Sequence, residues 1–218
     1  MDKISTKRLV IIGAGDLGKL ISHHAINDNH YSVVGFFDDT FKKNELVNGI
    51  KILGNIEDVL EIYNSGVFDF IIIGIGYNHM QFRKYIYNKF SNIIPFGTII
   101  HSSCYVDSSC EIGDGTFLLP GCILDKDVQI GENTILNTGC IIAHDTLISD
   151  HCFLSPGVNI AGKTIVYECC VVGINSTIID NITICPNVHI GGGAVVIDDI
   201  LAPGLYVGLP AKFKKDKS

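Results

Sequence analysis

From residue 94 to residue 201 an aliphatic side chain returns at every sixth position. The series is Ile94, Ile100, Val106, Ile112, Leu118, Leu124, Ile130, Leu136, Ile142, Ile148, Leu154, Ile160, Val166, Val172, Ile178, Ile184, Ile190 and Val196. A period of six fits neither an amphipathic helix, with about 3.6 residues per turn, nor the simple alternation of a half-buried strand. Held over so long a run, it marks a repeat architecture in which each unit buries its apolar face against the next. The fifth residue of each hexad is ordered too. Thr98, Cys104, Cys110, Thr116 and Cys122 open a series that stays small or β-branched as far as Ile200.

Ahead of residue 94 the pattern changes. "RLVII" is a short apolar run, followed by "GAGDLGK" and a helical pattern over residues 17–26. "YSVVGFF" is a second apolar run, ending in Asp38-Asp39, and "DFIIIGIG" is a third. "NHMQFRKYIYNKF" reads as helix, and "NIIPF" closes the region. Strands alternating with helices predict an open parallel sheet. Gly13, Gly15 and Gly18 form a G-x-G-x-x-G turn between the first strand and the first helix. Asp38 lies 20 positions beyond Gly18, at the end of the next strand. In that context glycines let the backbone approach a phosphate, the helix N-terminus offers N–H donors, and the acid accepts hydrogen bonds from ribose or base.

Composition narrows the options. The chain has 218 residues, 47% of them hydrophobic, enough for one large domain or two small ones. No apolar run reaches the length of a membrane span, and the N-terminal stretch lacks a secretory pattern, so the expectation is a cytoplasmic protein that does not enter a membrane. A formal charge of -7 argues against nucleic acid as the main partner. The basic tail "KFKKDKS" reads as a solvated terminus. Six of the eight cysteines occupy the fifth hexad position alongside Thr, Ser, Ala and Val, so they read as small buried side chains. No CxxC pair stands with a matching His pair, and no bound metal is expected. Cys169 and Cys185 fall outside the series and receive no role.

The hexads resemble the hexapeptide repeat of the left-handed parallel β-helix, which implies three short strands per coil and hence six coils. At the usual strand spacing these stack to roughly 29 Å. Joined to a Rossmann-like domain, such a β-helix resembles the bacterial nucleotide-sugar N-acetyltransferases of bacillosamine, perosamine and viosamine type, with the related sialic acid O-acetyltransferases. The likeness spans the chain, through "GAGDLGK", "FFDD", "GIGYN", "LNTGCIIAHD", "GVNIAG", "VVGINSTI", "IGGGAVV" and "VGLPAK". It implies an α/β nucleotide-sugar-binding domain over residues 1–93, a β-helix that binds acetyl-CoA and carries catalysis over 94–201, and a C-terminal cap and tail over 202–218. It implies His144 as catalytic base, Asp145 as its acidic neighbour, and Asn137 near the substrate. Gly13, Gly15, Asp38, Asp39 and Gly76 fall where the family binds its nucleotide-sugar. Gly162, Gly173 and Ala194 fall on stretches lining the acetyl-CoA groove, mostly through backbone. A homotrimer with acetyl-CoA between adjacent prisms is implied as well. Two positions depart from the family: Asp16-Leu17 where a Gly-His is common, and Phe153 where some members carry a second histidine.

The chemistry fits the residues. An amine attacking a thioester must lose a proton, and a histidine, with a side-chain pKa near 6.5, is suited to take it. A neighbouring carboxylate fixes its tautomer, and backbone N–H groups can hold the oxyanion. The resulting expectation is direct acetyl transfer, without an acyl-enzyme, to the 4-amino group of a nucleotide-linked 4-amino-4,6-dideoxy sugar for O-antigen, capsule or glycan assembly. UDP or dTDP is preferred to GDP. O-acetylation of a sialic acid is the competing activity, and a non-catalytic nucleotide-sugar binder is the third reading. A zinc site of the γ-carbonic-anhydrase kind needs three converging histidines, and their spacing is not found.

Overall fold

The computed structural model describes residues 7–216 and divides into two compact units, the first ending at Ile99 and the second beginning at Ile100. In the first, β1 (Arg8–Ile12) is central. It pairs in parallel with β2 (Ser32–Phe37) on one side and β5 (Phe70–Ile73) on the other. Outside β2 lies β4 (Ile50–Gly54), again parallel, and β3 (Leu46–Val47) joins it antiparallel, giving the order β3-β4-β2-β1-β5. Helices α1 (Asp16–Asn27), α2 (Val59–Asn64) and α3 (Met80–Phe90) connect the strands. The sheet is therefore not wholly parallel. The β3–β4 hairpin turns on Asn48 and Gly49, both at positive φ (49° and 78°), as the Asn-Gly dipeptide favours.

The repeat begins one hexad later than its pattern implies. Ile94 forms no strand; its N–H donates to the Phe90 carbonyl at the end of α3, and its side chain packs with Phe90 and Phe96 in the α/β core. A helix-end residue happens to match the period. From Ile99–Ile100 to Val195–Val196, seventeen short strands follow, one per hexad. They stack as three parallel sheets with an 18-residue step, as in Tyr105↔Ile123↔Ile141. This is a left-handed β-helix, and the aliphatic first positions from Leu118 to Val196 line its core. The strand Gly204–Val207 adds in parallel to Val188–Ile190, and Lys212–Lys215 folds back antiparallel on it. The expected solvated tail is thus partly a strand, though its side chains stay exposed; Lys217 and Ser218 lie outside the described residues.

The fifth hexad position is more than small. Thr116 Oγ1 donates to the Gly131 carbonyl (2.8 Å), Cys122 Sγ to Asn137 (3.2 Å), Thr164 Oγ1 to Ile179 (3.1 Å) and Ser176 Oγ to Gly191 (3.0 Å). Each acceptor lies fifteen residues on, in the next coil. A buried carbonyl at each corner needs a donor, and Thr, Ser and Cys share one. Thr116 also accepts the Thr134 N–H (3.1 Å). Thr116→Val keeps the shape and strands both groups, so unfolding in urea should show a loss of about 2 kcal/mol, against well under half of that for Thr116→Ser.

Candidate active site

Two places gather polar groups, one in each unit. In the first unit, β1, β2 and β5 end side by side, where the chain order reverses across β1. A crevice at such a point is the usual ligand site of an open α/β sheet. Here it is a cavity of ≈ 520 Å³ lined by Gly13, Gly15, Asp38, Asp39, Gly76 and His79 among others. All five residues assigned to the nucleotide-sugar from sequence therefore meet in one place.

The glycines divide the work. Gly13 has φ +102, and a Cβ there would lie 2.9 Å from the Gly74 carbonyl oxygen. Gly18 and Gly74 pack equally tightly: a Cβ on Gly74 would lie 2.7 Å from the Gly18 Cα. These three let α1 and two loops close on one another. A Cβ on Gly15 or Gly76 would meet nothing within 4 Å. Those two face the open cavity.

Asp38 holds the turn in place. Its Oδ2 accepts the Ala14 N–H (2.7 Å), and Oδ1 accepts both the N–H (2.8 Å) and the hydroxyl (2.6 Å) of Thr40. Burial pushes the carboxyl up, but the bonds from Ala14 and Thr40 together outweigh it and leave the group below its ordinary range. Three of its roughly four acceptor sites are thus engaged. Asp39 is freer: Oδ1 accepts the Ile56 N–H (2.9 Å), and the residue is exposed. The sequence pattern singled out Asp38 as the acid for ribose or base; the geometry makes it first a latch on the glycine turn. Asp16, at the first position of α1, is fully exposed and 3.5 Å from Lys19.

The second place is the corner after the strand Ile141–Ile142. Asp145 sits at φ 56, a left-handed conformation that Asp tolerates, and the turn brings Oδ2 to 2.8 Å from His144 Nδ1. The bond to His144 is the main reason that the Asp145 carboxyl lies below its ordinary range; Lys126 and Lys163 add smaller attractions. An ionised carboxylate only accepts, so Nδ1 is the donor in this bond, and in the neutral ring that tautomer leaves Nε2 as the acceptor. Both side chains are about half exposed, at 51% and 49%. Gly162, one coil further on, lies against the ring. A Cβ there would come within 2.8 Å of both Cε1 and Nε2. Its role as seen here is clearance for the imidazole, a function that assignment to the acetyl-CoA groove did not include.

The other assigned residues scatter. Asn137 is nearly buried at the preceding corner, where its side-chain Nδ2 donates to the Leu154 carbonyl (2.8 Å). Gly173 is pressed on the next coil, and a Cβ would lie 2.5 Å from the Gly192 nitrogen. Ala194 is fully buried, its N–H bonded to the Gly191 carbonyl and its carbonyl to the Thr177 N–H. Its methyl therefore points into the prism, and any contact with acetyl-CoA would fall to the neighbouring backbone. Phe153 is buried on a third face of the prism, in register with Ile135 and Val171. The inward thiols are poor nucleophiles. Burial pushes Cys110, Cys152 and Cys185 up, and the bond with Cys122 does so for Cys104. Cys170 moves down through its bond with Cys152 but is buried. Among the described residues no group of three His, Cys, Asp or Glu converges on a metal position, and no helix is long and apolar enough to cross a membrane.

The PglD N-terminal domain family matches residues 8–90. No curated protein matches the chain. Among solved structures the chain is similar to the acetyltransferase domain of PglB from Neisseria gonorrhoeae FA1090, with 27% identity and a TM-score of 0.86 over 94% of this chain and 98% of that one. The same domain has been solved in complex with acetyl coenzyme A. The chain is also similar to a mutant GDP-perosamine N-acetyltransferase from Caulobacter crescentus, in complex with CoA and GDP-perosamine. There the identity is 25% and the TM-score 0.89, over 99% and 100% of the two chains. WeeI from Acinetobacter baumannii AYE, 22% identical with a TM-score of 0.80 over 95% and 99%, shares the fold.

Proposed function

We propose that this acyltransferase, similar over nearly its whole length to sugar N-acetyltransferases of the hexapeptide-repeat class, moves the acetyl group of acetyl-CoA to the 4-amino group of a nucleotide-linked 4-amino-4,6-dideoxy sugar. The observation that carries the reading is the His144–Asp145 pair, with Nδ1 2.8 Å from the carboxylate and both side chains half exposed. The sugar amine attacks the thioester carbonyl carbon, and a C–N bond forms. Nε2 takes the proton that the nitrogen must lose, while Asp145 balances the imidazolium. The oxyanion collapses, the C–S bond breaks, and the imidazolium returns the proton to the CoA thiolate. The backbone N–H of Gly162, whose neighbours Ala161 and Lys163 give theirs to the ladder, is the candidate for holding the oxyanion. The nucleotide occupies the cavity above the glycine turn, with Asp39 as the freer acceptor for ribose or base and UDP or dTDP preferred to GDP.

The active unit in this reading is a homotrimer. Asn137 and His144 leave consecutive corners of one coil, so a centre that uses both draws them from two chains. Between those corners Tyr105, Ile123 and Ile141 form an outward apolar stripe, exposed by 59%, 42% and 42%, of the kind a second copy covers. The product would enter bacterial glycan assembly, such as O-antigen, in the cytoplasm.

The deciding experiment is a thiol-release assay with acetyl-CoA against UDP-, dTDP- and GDP-linked 4-amino-4,6-dideoxy sugars. Turnover is expected with one nucleotide class. Silence across the panel with acetyl-CoA still bound would shift the acceptor to a free sugar such as sialic acid, and silence without acetyl-CoA binding would leave a nucleotide-sugar binder.

A further inference from the structure

Among the described residues Arg83 is the largest fully buried side chain, with no exposed surface. It sits on α3 and reaches under the loop that leaves β5. Its Nη1 donates to the Ile75 carbonyl at 2.6 Å and to the Ile73 carbonyl at 3.3 Å. Those carbonyls flank Gly74, whose own N–H is bonded to the Ile12 carbonyl (2.8 Å). The peptide joining Ile75 to Gly76 is thereby held with its oxygen turned inward. A trans peptide is planar, with C=O and N–H pointing in opposite directions. The Gly76 N–H therefore points away from the buried guanidinium. Gly76 lines the cavity, and a Cβ on it would meet nothing within 4 Å.

We infer that Arg83 is the positioning residue that turns the Gly76 amide toward the cavity as a donor for the diphosphate of the bound nucleotide, an inference that rests on the reading of the cavity given above. Two effects act together. The guanidinium is always charged, and buried in low dielectric it polarises the Ile75–Gly76 peptide through the short bond to its oxygen. Its charge also favours an anion on the far side of a single peptide layer. The α1 N-terminus faces the same cavity but carries Asp16 in its first turn, which repels a phosphate. The Gly74–Gly76 loop supplies the compensating positive side.

The test measures binding of UDP, dTDP, GDP and inorganic pyrophosphate by calorimetry to the full chain and to four variants. Arg83→Met should weaken the best nucleotide about tenfold or more, and Arg83→Lys, which keeps the charge and a donor, should recover part of the loss. Gly76→Pro deletes the amide itself; φ at Gly76 is -73, which proline adopts without strain. It should cost at least as much as Arg83→Met, and several-fold more than Gly76→Ala. The Arg83→Met and Gly76→Pro losses should not add, and acetyl-CoA affinity should persist in both. In turnover the Arg83→Met loss should appear in KM for the sugar nucleotide more than in kcat. Wild-type-like nucleotide affinity in a folded Arg83→Met or Gly76→Pro protein would overturn the inference alone. A wild-type protein that binds none of the four probes would overturn the nucleotide reading and the inference together.

Discussion

His144→Ala should lower kcat by about two to four orders of magnitude, the range that a positioned general base contributes, while the KM for acetyl-CoA stays within a few-fold. The side chain is half exposed, so thermal unfolding should hardly move. This separates a lost proton acceptor from a damaged fold. The companion change, Asp145→Asn, tests the tautomer. Asparagine can present its oxygen to Nδ1–H but brings no charge, or it can flip and offer its amide to a ring nitrogen that must then carry the proton on Nε2. The rate should fall less than in His144→Ala. Asp145 is held below the ordinary carboxylate range, so the charge that Asp145→Asn removes is present in the wild type. A His144→Ala protein that keeps the rate would move the base elsewhere and leave the acetyltransferase fold intact.

The solenoid was legible because its rule is local: one aliphatic residue per hexad points inward whatever its neighbours do. The same simplicity produced the error at Ile94, where the end of α3 happens to fall on the period and sequence has no way to tell a helix-end contact from a corner of the prism. The fifth positions were seen as small, since Thr, Cys, Ala and Val share size. Their common chemistry appears only when the i+15 carbonyl is in place to receive the O–H or S–H. Residues 46–54 were passed over although Asn48-Gly49 carried a hairpin signal, because strands of two and five residues leave little periodicity to read. The glycine turn and its acid were found by motif, yet the motif assigns Asp38 to a ligand where bonds from Ala14 and Thr40 hold it as a latch. Arg83 was invisible for a different reason. A basic residue in the pattern "MQFRKYIYNKF" reads as the solvated side of a helix, whereas in the fold it lies under loop carbonyls that accept from its guanidinium. The contact between Gly162 and His144, by contrast, follows from arithmetic. Three hexads per coil place the glycine one coil from His144, 18 residues on.

That stacking makes Gly162→Ala the second large effect we expect. The added methyl would lie 2.8 Å from Cε1 and Nε2 of His144 and 3.1 Å from its carbonyl oxygen, closer than non-bonded carbon, nitrogen and oxygen atoms pack. The backbone is fixed by the ladder: the Lys163 N–H bonds to the His144 carbonyl at 3.0 Å, and the Asn181 N–H to the Gly162 carbonyl at 3.0 Å. The exposed ring is the part free to yield. It should rotate off the methyl, stretching or breaking the 2.8 Å bond to Asp145 and carrying Nε2 from its place. A displacement of about 1 Å at a reacting group costs on the order of a hundredfold, so kcat should fall by that order while the protein stays folded. Steric blockage of acetyl-CoA would give a similar loss by a different route, and a double-mutant cycle separates the two. If the methyl acts through the imidazole, Gly162→Ala should change nothing further in a His144→Ala background. If it acts on the cofactor, the two losses should multiply and the KM for acetyl-CoA should rise in both backgrounds. Crystals of the Gly162→Ala protein should then show which group moved, the His144 ring in the first case and the backbone of the 162 turn in neither.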